Sequence, residues 1–194
     1  MTDSIDDQGY RANVGIVLMR GDGLVFLGGR AGARGWQFPQ GGVQDGEPVE
    51  AAMFRELEEE VGLSAGQVEL VASTQDWLRY RLPPQYRRRG AGQICVGQKQ
   101  RWFLLRLRND DTELQFDRTG QPPEFDRARW VDYWDPVREV IFFKRQVYRR
   151  ALHELGRTAF PAGLPPYPVW WRGLRRGEQS PAPQYRRGKA PAAR

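Results

Sequence analysis

The sequence predicts an α/β sandwich built on a mixed sheet. Three observations carry this: two short apolar runs joined by a Gly-Asp-Gly turn, a short helix bounded by proline and glycine, and further apolar runs that lead into a second helix. The order strand, strand, helix, strands, helix lets each helix bury one face on a shared sheet.

Residues 14–19 and 24–27 are apolar runs separated by Arg20-Gly-Asp-Gly, which reads as a hairpin. Residues 35–42 read as a short extended segment leading into the loop before the first helix. Pro48 suits a first helical position and Gly62 a C-terminal cap, so the helix covers about 48–61. A strand is expected over 67–74, a long loop over 80–92 carrying Pro83, Pro84 and Arg87–Arg89, and a strand over 98–108. A polar connection over 110–125 precedes a strand over 129–133. Asp135 as cap and Pro136 at the first position then open a helix to about Leu155. Its apolar stripe is Val137, Val140, Ile141, Val147, Tyr148, Ala151, Leu152 and Leu155. Phe142 and Phe143 fall off that stripe and Lys144 falls within it, so the start of this helix is expected to overhang a cleft. Beyond Gly156 proline, glycine and arginine dominate. The chain therefore divides into a domain over 1–158 and an extension over 159–194, disordered from about 177.

Composition removes several classes of function. No apolar run approaches the roughly 18 residues of a membrane span. The acidic, polar N-terminus is not a signal peptide, and a lone cysteine allows no intrachain disulfide, which fits a cytoplasmic protein. With one His and one Cys, a zinc site of nitrogen and sulfur ligands is nearly excluded, and any metal must be held by oxygen. His153 reads as structural or surface-exposed. The net charge of +6 is unevenly spread. Between Asp76 and Asp110 there is no acid, while Arg79, Arg81, Arg87, Arg88, Arg89, Lys99, Arg101, Arg106 and Arg108 are basic, with Trp77, Tyr80, Tyr86 and Trp102 interleaved. Arginines suit phosphate oxygens and aromatic faces suit unstacked bases.

The first helix carries the sharpest local anomaly. Glu56, Glu58, Glu59 and Glu60 sit at its negative end, where the macrodipole disfavours them. At about 100° per residue, Glu59, Glu56 and Glu60 fall in a ~100° arc beside the apolar side of Val49, Met53, Leu57 and Val61, and Glu58 points away. Three carboxylates at the edge of a core face, behind a glycine-rich loop, fit a divalent-metal site.

The spacing of Gly41, Glu47, Arg55-Glu56-Leu57, Glu59-Glu60 and Gly62-Leu63 resembles the signature of the Nudix hydrolases at every defined position. The flanking segments 9–15, 36–42, 77–80, 97–102, 123–125, 142–145 and 147–150 are similar to one subgroup, the bacterial RNA pyrophosphohydrolases and their kin the dinucleoside polyphosphate hydrolases. The resemblance implies the Nudix fold, an α/β/α sandwich with a mixed β-sheet. It implies Mg²⁺ or Mn²⁺, two or more ions, held by Glu56, Glu59, Glu60 and Glu124, with Gly41 at the same site. Either Glu56 or Glu60 would activate the attacking water, and Arg55 would orient a glutamate. Glu47 belongs to the loop–helix scaffold. Arg11, Arg30, Tyr80, Phe143 and Lys144 match positions that face the substrate's phosphates or bases. Ala12 departs from the subgroup's usual proline and removes no chemistry.

The expected function is removal of pyrophosphate from 5′-triphosphorylated RNA, which promotes mRNA degradation. The alternatives are a diadenosine tetraphosphate hydrolase and an RNA-binding protein with an inert site. No membrane and no obligate protein partner are implied.

Overall fold

The computed structural model describes residues 5–87, 95–117 and 122–174. Arg88, Arg89 and the tail expected to be disordered from 177 lie outside the described residues. Eight strands form one mixed sheet: β1 (Tyr10–Met19), β2 (Val25–Arg30), β3 (Trp36–Gln37), β4 (Gln40–Gly42), β5 (Val68–Ser73), β6 (Leu78–Arg81), β7 (Gly97–Leu107) and β8 (Phe125–Val131). The central order is β3-β2-β1-β7-β5, with β4 paired to β1, β6 to β7 and β8 to β2. Among the described residues only β1 and β7 run parallel, in register from Tyr10↔Gly97 to Met19↔Arg106. Every other pairing is antiparallel.

Helix α1 (Val49–Val61) lies on one face of this sheet and α3 (Arg145–Ala159) on the other. Alternation along the two central strands divides the core accordingly. Ile16, Leu18, Phe103 and Leu105 pack with Met53 and Leu57 of α1, whereas Val17, Trp102 and Leu104 pack with Tyr148, Leu152 and Leu155 of α3. Large aromatics fill the second layer, where Phe38 stacks on Tyr148 with ring centroids 5.0 Å apart. No helix among the described residues is long and apolar enough to cross a membrane.

Several elements differ from the sequence expectation. Pro48 is extended, with ψ 138°, and precedes α1 rather than starting it; Gly62 closes the helix at φ 74°, in the left-handed region that glycine favours. The expected loop over 80–92 begins as strand β6, because Leu78 and Tyr80 face the core while Arg79 and Arg81 face outward. Strand β8 starts at Phe125, four residues before the expected 129, since Phe125 is fully buried against Phe26.

The second helix is broken. Residues Pro136–Glu139 form α2, Val140 is extended with ψ 155°, Phe142–Lys144 make a 3₁₀ turn, and only then does α3 begin. A continuous helix would have left Phe143 off its buried stripe. The break instead sets Phe143 against Tyr80, with centroids 6.0 Å apart, and turns Lys144 inward. The overhang expected for the helix start is thus confined to the 3₁₀ turn and Ile141, because Val137 and Val140 are buried. Beyond α3, Trp171 is buried against Trp134, whose Nε1 donates to the Pro165 carbonyl at 2.9 Å, so the extension is anchored to the same core as far as Trp171.

Candidate active site

Strand β4 and helix α1 are brought together by the 43–48 loop, and Arg55 holds them. Its Nε and Nη2 donate to the two oxygens of Glu47 at 2.9 and 3.0 Å, and Nη2 also donates to the Gly42 carbonyl at 2.8 Å. Nη1 reaches Glu56 at 2.7 Å and Glu59 at 3.3 Å. Glu47 accepts in addition from the Gln44 N–H at 2.9 Å. The scaffold expected of Glu47 is therefore a charge-assisted clamp between the loop and the helix.

Close approach explains Gly41. A Cβ placed there would lie 1.8 Å from the Glu56 carboxyl carbon, so this carboxylate occupies the space of a missing side chain. Glu56 is 8% exposed, and burial pushes its carboxyl up while Arg55 opposes the shift. Glu60 is half-buried as a residue, but its carboxyl group is enclosed. Burial raises it well above the usual range, the Glu56 charge adds to this, and the Gln40 N–H, which donates to it at 3.0 Å, opposes. Glu59 and Glu58 are both exposed.

Cations and aromatics from other elements face these acids. Lys144 Nζ donates to Gln40 Oε1 at 3.0 Å and lies 5.7 Å from the Tyr80 ring centre. Burial and the Arg30 charge bring the Lys144 amine down to about 8, against the pull of Glu60 and Glu124. Glu124 accepts from Gln37 Nε2 at 2.9 Å and from Arg30 Nε at 3.3 Å, which places both expected residues at one edge of the site. Arg11 lies against Gly42, where an added Cβ would meet its guanidinium at 2.4 Å, and its charge acts on Glu56. The structure thus gathers Arg11, Arg30, Glu56, Glu60, Glu124 and Lys144 around β4.

The expected metal ligands do not stand as a closed cluster. Among the described residues no three His, Cys, Asp or Glu side chains lie close enough together to enclose an ion as they stand. Arg55 holds Glu59 to one side, and Gln37 and Arg30 hold Glu124. The donor chemistry nonetheless fits Mg²⁺ or Mn²⁺: every candidate ligand is an oxygen, and Glu56 and Glu60 are enclosed like charges that a divalent cation would relieve.

Sequence reasoning missed the neutral amides that connect the site. Gln100 Nε2 donates to Asn13 Oδ1 at 2.7 Å and lies 3.4 Å from Gln40 Oε1, and both Gln100 and Asn13 are buried. The available signal was a polar side chain at a core-facing position on each of the two central strands.

A model of the NUDIX domain matches residues 9–155. The chain belongs to the Nudix family. It is 54% identical over 164 residues to a protein of Alkalilimnicola ehrlichii named RNA pyrophosphohydrolase, an alignment covering 84% of this chain and 90% of that one. A Vibrio cholerae protein of the same name is 54% identical over 157 residues, covering 81% and 91%. Among solved structures, the Escherichia coli dihydroneopterin triphosphate pyrophosphohydrolase superposes with a TM-score of 0.58 at 23% identity, over 72% of this chain and 92% of that one. A Caenorhabditis elegans Ap4A hydrolase complex gives 0.52 at 18%, over 79% and 98%. These two likenesses are of fold, the Nudix α/β/α sandwich.

Proposed function

We propose that this Nudix protein is an RNA 5′ pyrophosphohydrolase of the cytoplasm, which converts the 5′-triphosphate end of RNA to a monophosphate and so promotes mRNA decay. The observation that carries the reading is the position of Gln40. Its N–H holds Glu60 and its side chain holds Lys144, so one residue joins the acidic wall to the cationic and aromatic wall. The identity to proteins named RNA pyrophosphohydrolase, over more than four-fifths of the chain, supports the choice of RNA.

In this reading Glu56, Glu59, Glu60, Glu124 and the Gly41 carbonyl hold two or more Mg²⁺ or Mn²⁺ ions. Bound there, such ions polarise phosphoryl oxygens and lower the pKa of an attacking water. The chain's own residues do the rest. Arg30, Lys144 and Arg11 offset the charge of the triphosphate. Phe143 presents a ring face to a base, and Tyr80, expected beside it, is instead buried beneath Phe143 and backs that ring. Arg55 positions Glu56, and either Glu56 or Glu60 accepts the proton of the water that displaces pyrophosphate.

The test is pyrophosphate release from RNAs of defined 5′-triphosphate end, with and without Mg²⁺, beside diadenosine tetraphosphate as a competing substrate. Metal-dependent release from RNA, at a higher kcat/KM than for the dinucleotide, is expected. No release from RNA, with turnover of the dinucleotide retained, would replace this reading with a dinucleoside polyphosphate hydrolase.

A further inference from the structure

The stretch without acids between Asp76 and Asp110 folds so that part of its charge is sorted onto one face of the sheet. Strand β6 is an edge strand, and its residues alternate. Tyr80 points into the core beneath Phe143, whereas Arg79 and Arg81 point to the opposite face and are exposed. Cross-strand pairing of Arg79 with Lys99, of Ala12 with Lys99 and of Val14 with Arg101 puts Lys99 and Arg101 on that same face. Two aromatics lie between the cations. The Arg79 guanidinium sits 5.6 Å from the Tyr10 ring centre, Arg81 Nε donates to Tyr10 Oη at 3.2 Å, and Lys99 Nζ lies 5.4 Å from the Trp77 ring centre. Asp6 is the acid that reaches this row, at 3.0 Å from Lys99. Arg101 Nε is buried without a hydrogen-bond partner among the described residues.

We propose that this face, comprising Tyr10, Trp77, Arg79, Arg81, Lys99 and Arg101, is a second RNA-binding surface that holds the single-stranded body of the substrate downstream of its 5′ end. Residues i and i+2 of a strand lie roughly 6.6–6.8 Å apart, which lets Arg79 and Arg81 meet successive phosphates of an extended chain. Aromatic faces set between cations are how single strands are bound without regard to sequence. The route from the catalytic cleft is short, because neighbouring residues of the same strands serve both: Tyr80 lies between Arg79 and Arg81, and Arg11, beside Gly42, follows Tyr10. A dinucleotide ends inside the cleft; a longer chain rounds the β6 edge and reaches the ladder.

The inference rests on the RNA reading, and its test separates the two. Arg79→Glu/Arg81→Glu changes two exposed side chains, and its fold is checked by circular dichroism and melting temperature. Turnover is measured on a triphosphorylated dinucleotide and on a triphosphorylated RNA of about 20 nucleotides, longer than the roughly 4–16 nucleotides that a single-strand surface occupies. Binding of a 5′-monophosphate RNA of the same length is followed by fluorescence anisotropy across a salt series. The double variant should turn over the dinucleotide as the wild type does, raise KM for the long RNA about tenfold, and lower the salt slope of binding by about 1.4. Equal KM and equal slope in variant and wild type would overturn the proposal, and would leave that face to an acidic protein partner. Should the wild type release no pyrophosphate from either RNA, the catalytic reading fails, while the anisotropy series still decides whether the ladder binds RNA.

Discussion

Lys144 Nζ donates to the side-chain oxygen of Gln40 at 3.0 Å, deep enough that the lysine is only 8% exposed. A charged amine in that position loses hydration that one amide oxygen restores only in part. In the proposed function an anionic substrate would complete that shell, so the lysine is expected to work against the stability of the substrate-free fold.

The first prediction follows with its sign. In the folded metal-free protein the Lys144 amine is brought from 10.5 to about 8 by burial and by Arg30. A folded value below the unfolded one means that the fold disfavours the charged amine. The penalty is full below about pH 8 and fades as pH rises toward 10.5. Lys144→Met should then raise the melting temperature at pH 7 in EDTA, by up to about 3 kcal/mol of stability at 1.36 kcal/mol per pKa unit, and change little near pH 10.5. The same variant should lower kcat/KM on triphosphorylated RNA about 100-fold. A fall in melting temperature at pH 7 would show that the amine is satisfied without substrate.

Glu60→Gln removes a carboxylate whose form is disfavoured by burial and by Glu56. Turnover should drop about 1000-fold or more, while the melting temperature in EDTA stays level or rises. Addition of Mg²⁺ should stabilise the wild type, as any ligand of the folded state does, and the variant much less. Glu58→Gln, on the exposed side of α1, is the control and should match the wild type in both measurements. Near-equal Mg²⁺ stabilisation of wild type and Glu60→Gln would remove Glu60 from the metal site.

How far the sequence disclosed this site depends on which signals are local. The capped glutamate helix was legible because its thirteen residues and the Gly62 that follows them are contiguous in the chain, and α1 appears where it was expected. The out-of-order Phe142, Phe143 and Lys144 mark a real irregularity, yet a helix was expected through them. The break at Val140 arises from tertiary contacts, the Phe143–Tyr80 stack and the Lys144–Gln40 bond, which no local pattern encodes. Strand β6 was hidden for a similar reason, since four residues of alternating burial beside two prolines look like a loop until β7 pairs with them. The face on which Arg79, Arg81, Lys99 and Arg101 assemble followed only from register. Asn13 and Gln100 were not singled out in the sequence, and they prove to be the buried amides behind Gln40.

Gly41→Ala tests the close approach. The added methyl would stand 1.8 Å from the Glu56 carboxyl carbon, so Glu56 must rotate away or β4 must shift. Displacement of a catalytic group by about 1 Å costs on the order of 100-fold in rate. The expected result is a loss of that size in kcat, with a folded protein by circular dichroism and weakened Mg²⁺ stabilisation. Wild-type kcat would mean that Glu56 tolerates the shift and contributes little to the reaction.

The clamp of Arg55 on Glu47 sets the acid limit of the metal-free fold. The Arg55 hydrogen bonds hold the Glu47 carboxyl below its usual 4.5, with the Gln44 N–H assisting, and burial opposes them. A folded value below the unfolded one means stability that is complete above about pH 4.5 and is lost as pH falls through the folded value. Glu56 and Glu60 act in the reverse sense, because their raised values make protonation favour the fold as pH drops from neutrality. In EDTA the melting temperature should therefore hold or rise slightly from pH 7 to about 5 and fall below 4.5, where Glu47 dominates. Glu47→Gln should lower the plateau by about 1–3 kcal/mol, as expected when a partly buried charged hydrogen bond is lost, and flatten the acid limb. Arg55→Lys should do the same, since an ammonium cannot supply the forked pair of bonds that joins Glu47 to the helix. An unchanged acid limb in both variants would place the acid-sensitive contact elsewhere, the Asp6–Lys99 pair at 3.0 Å being the next to test.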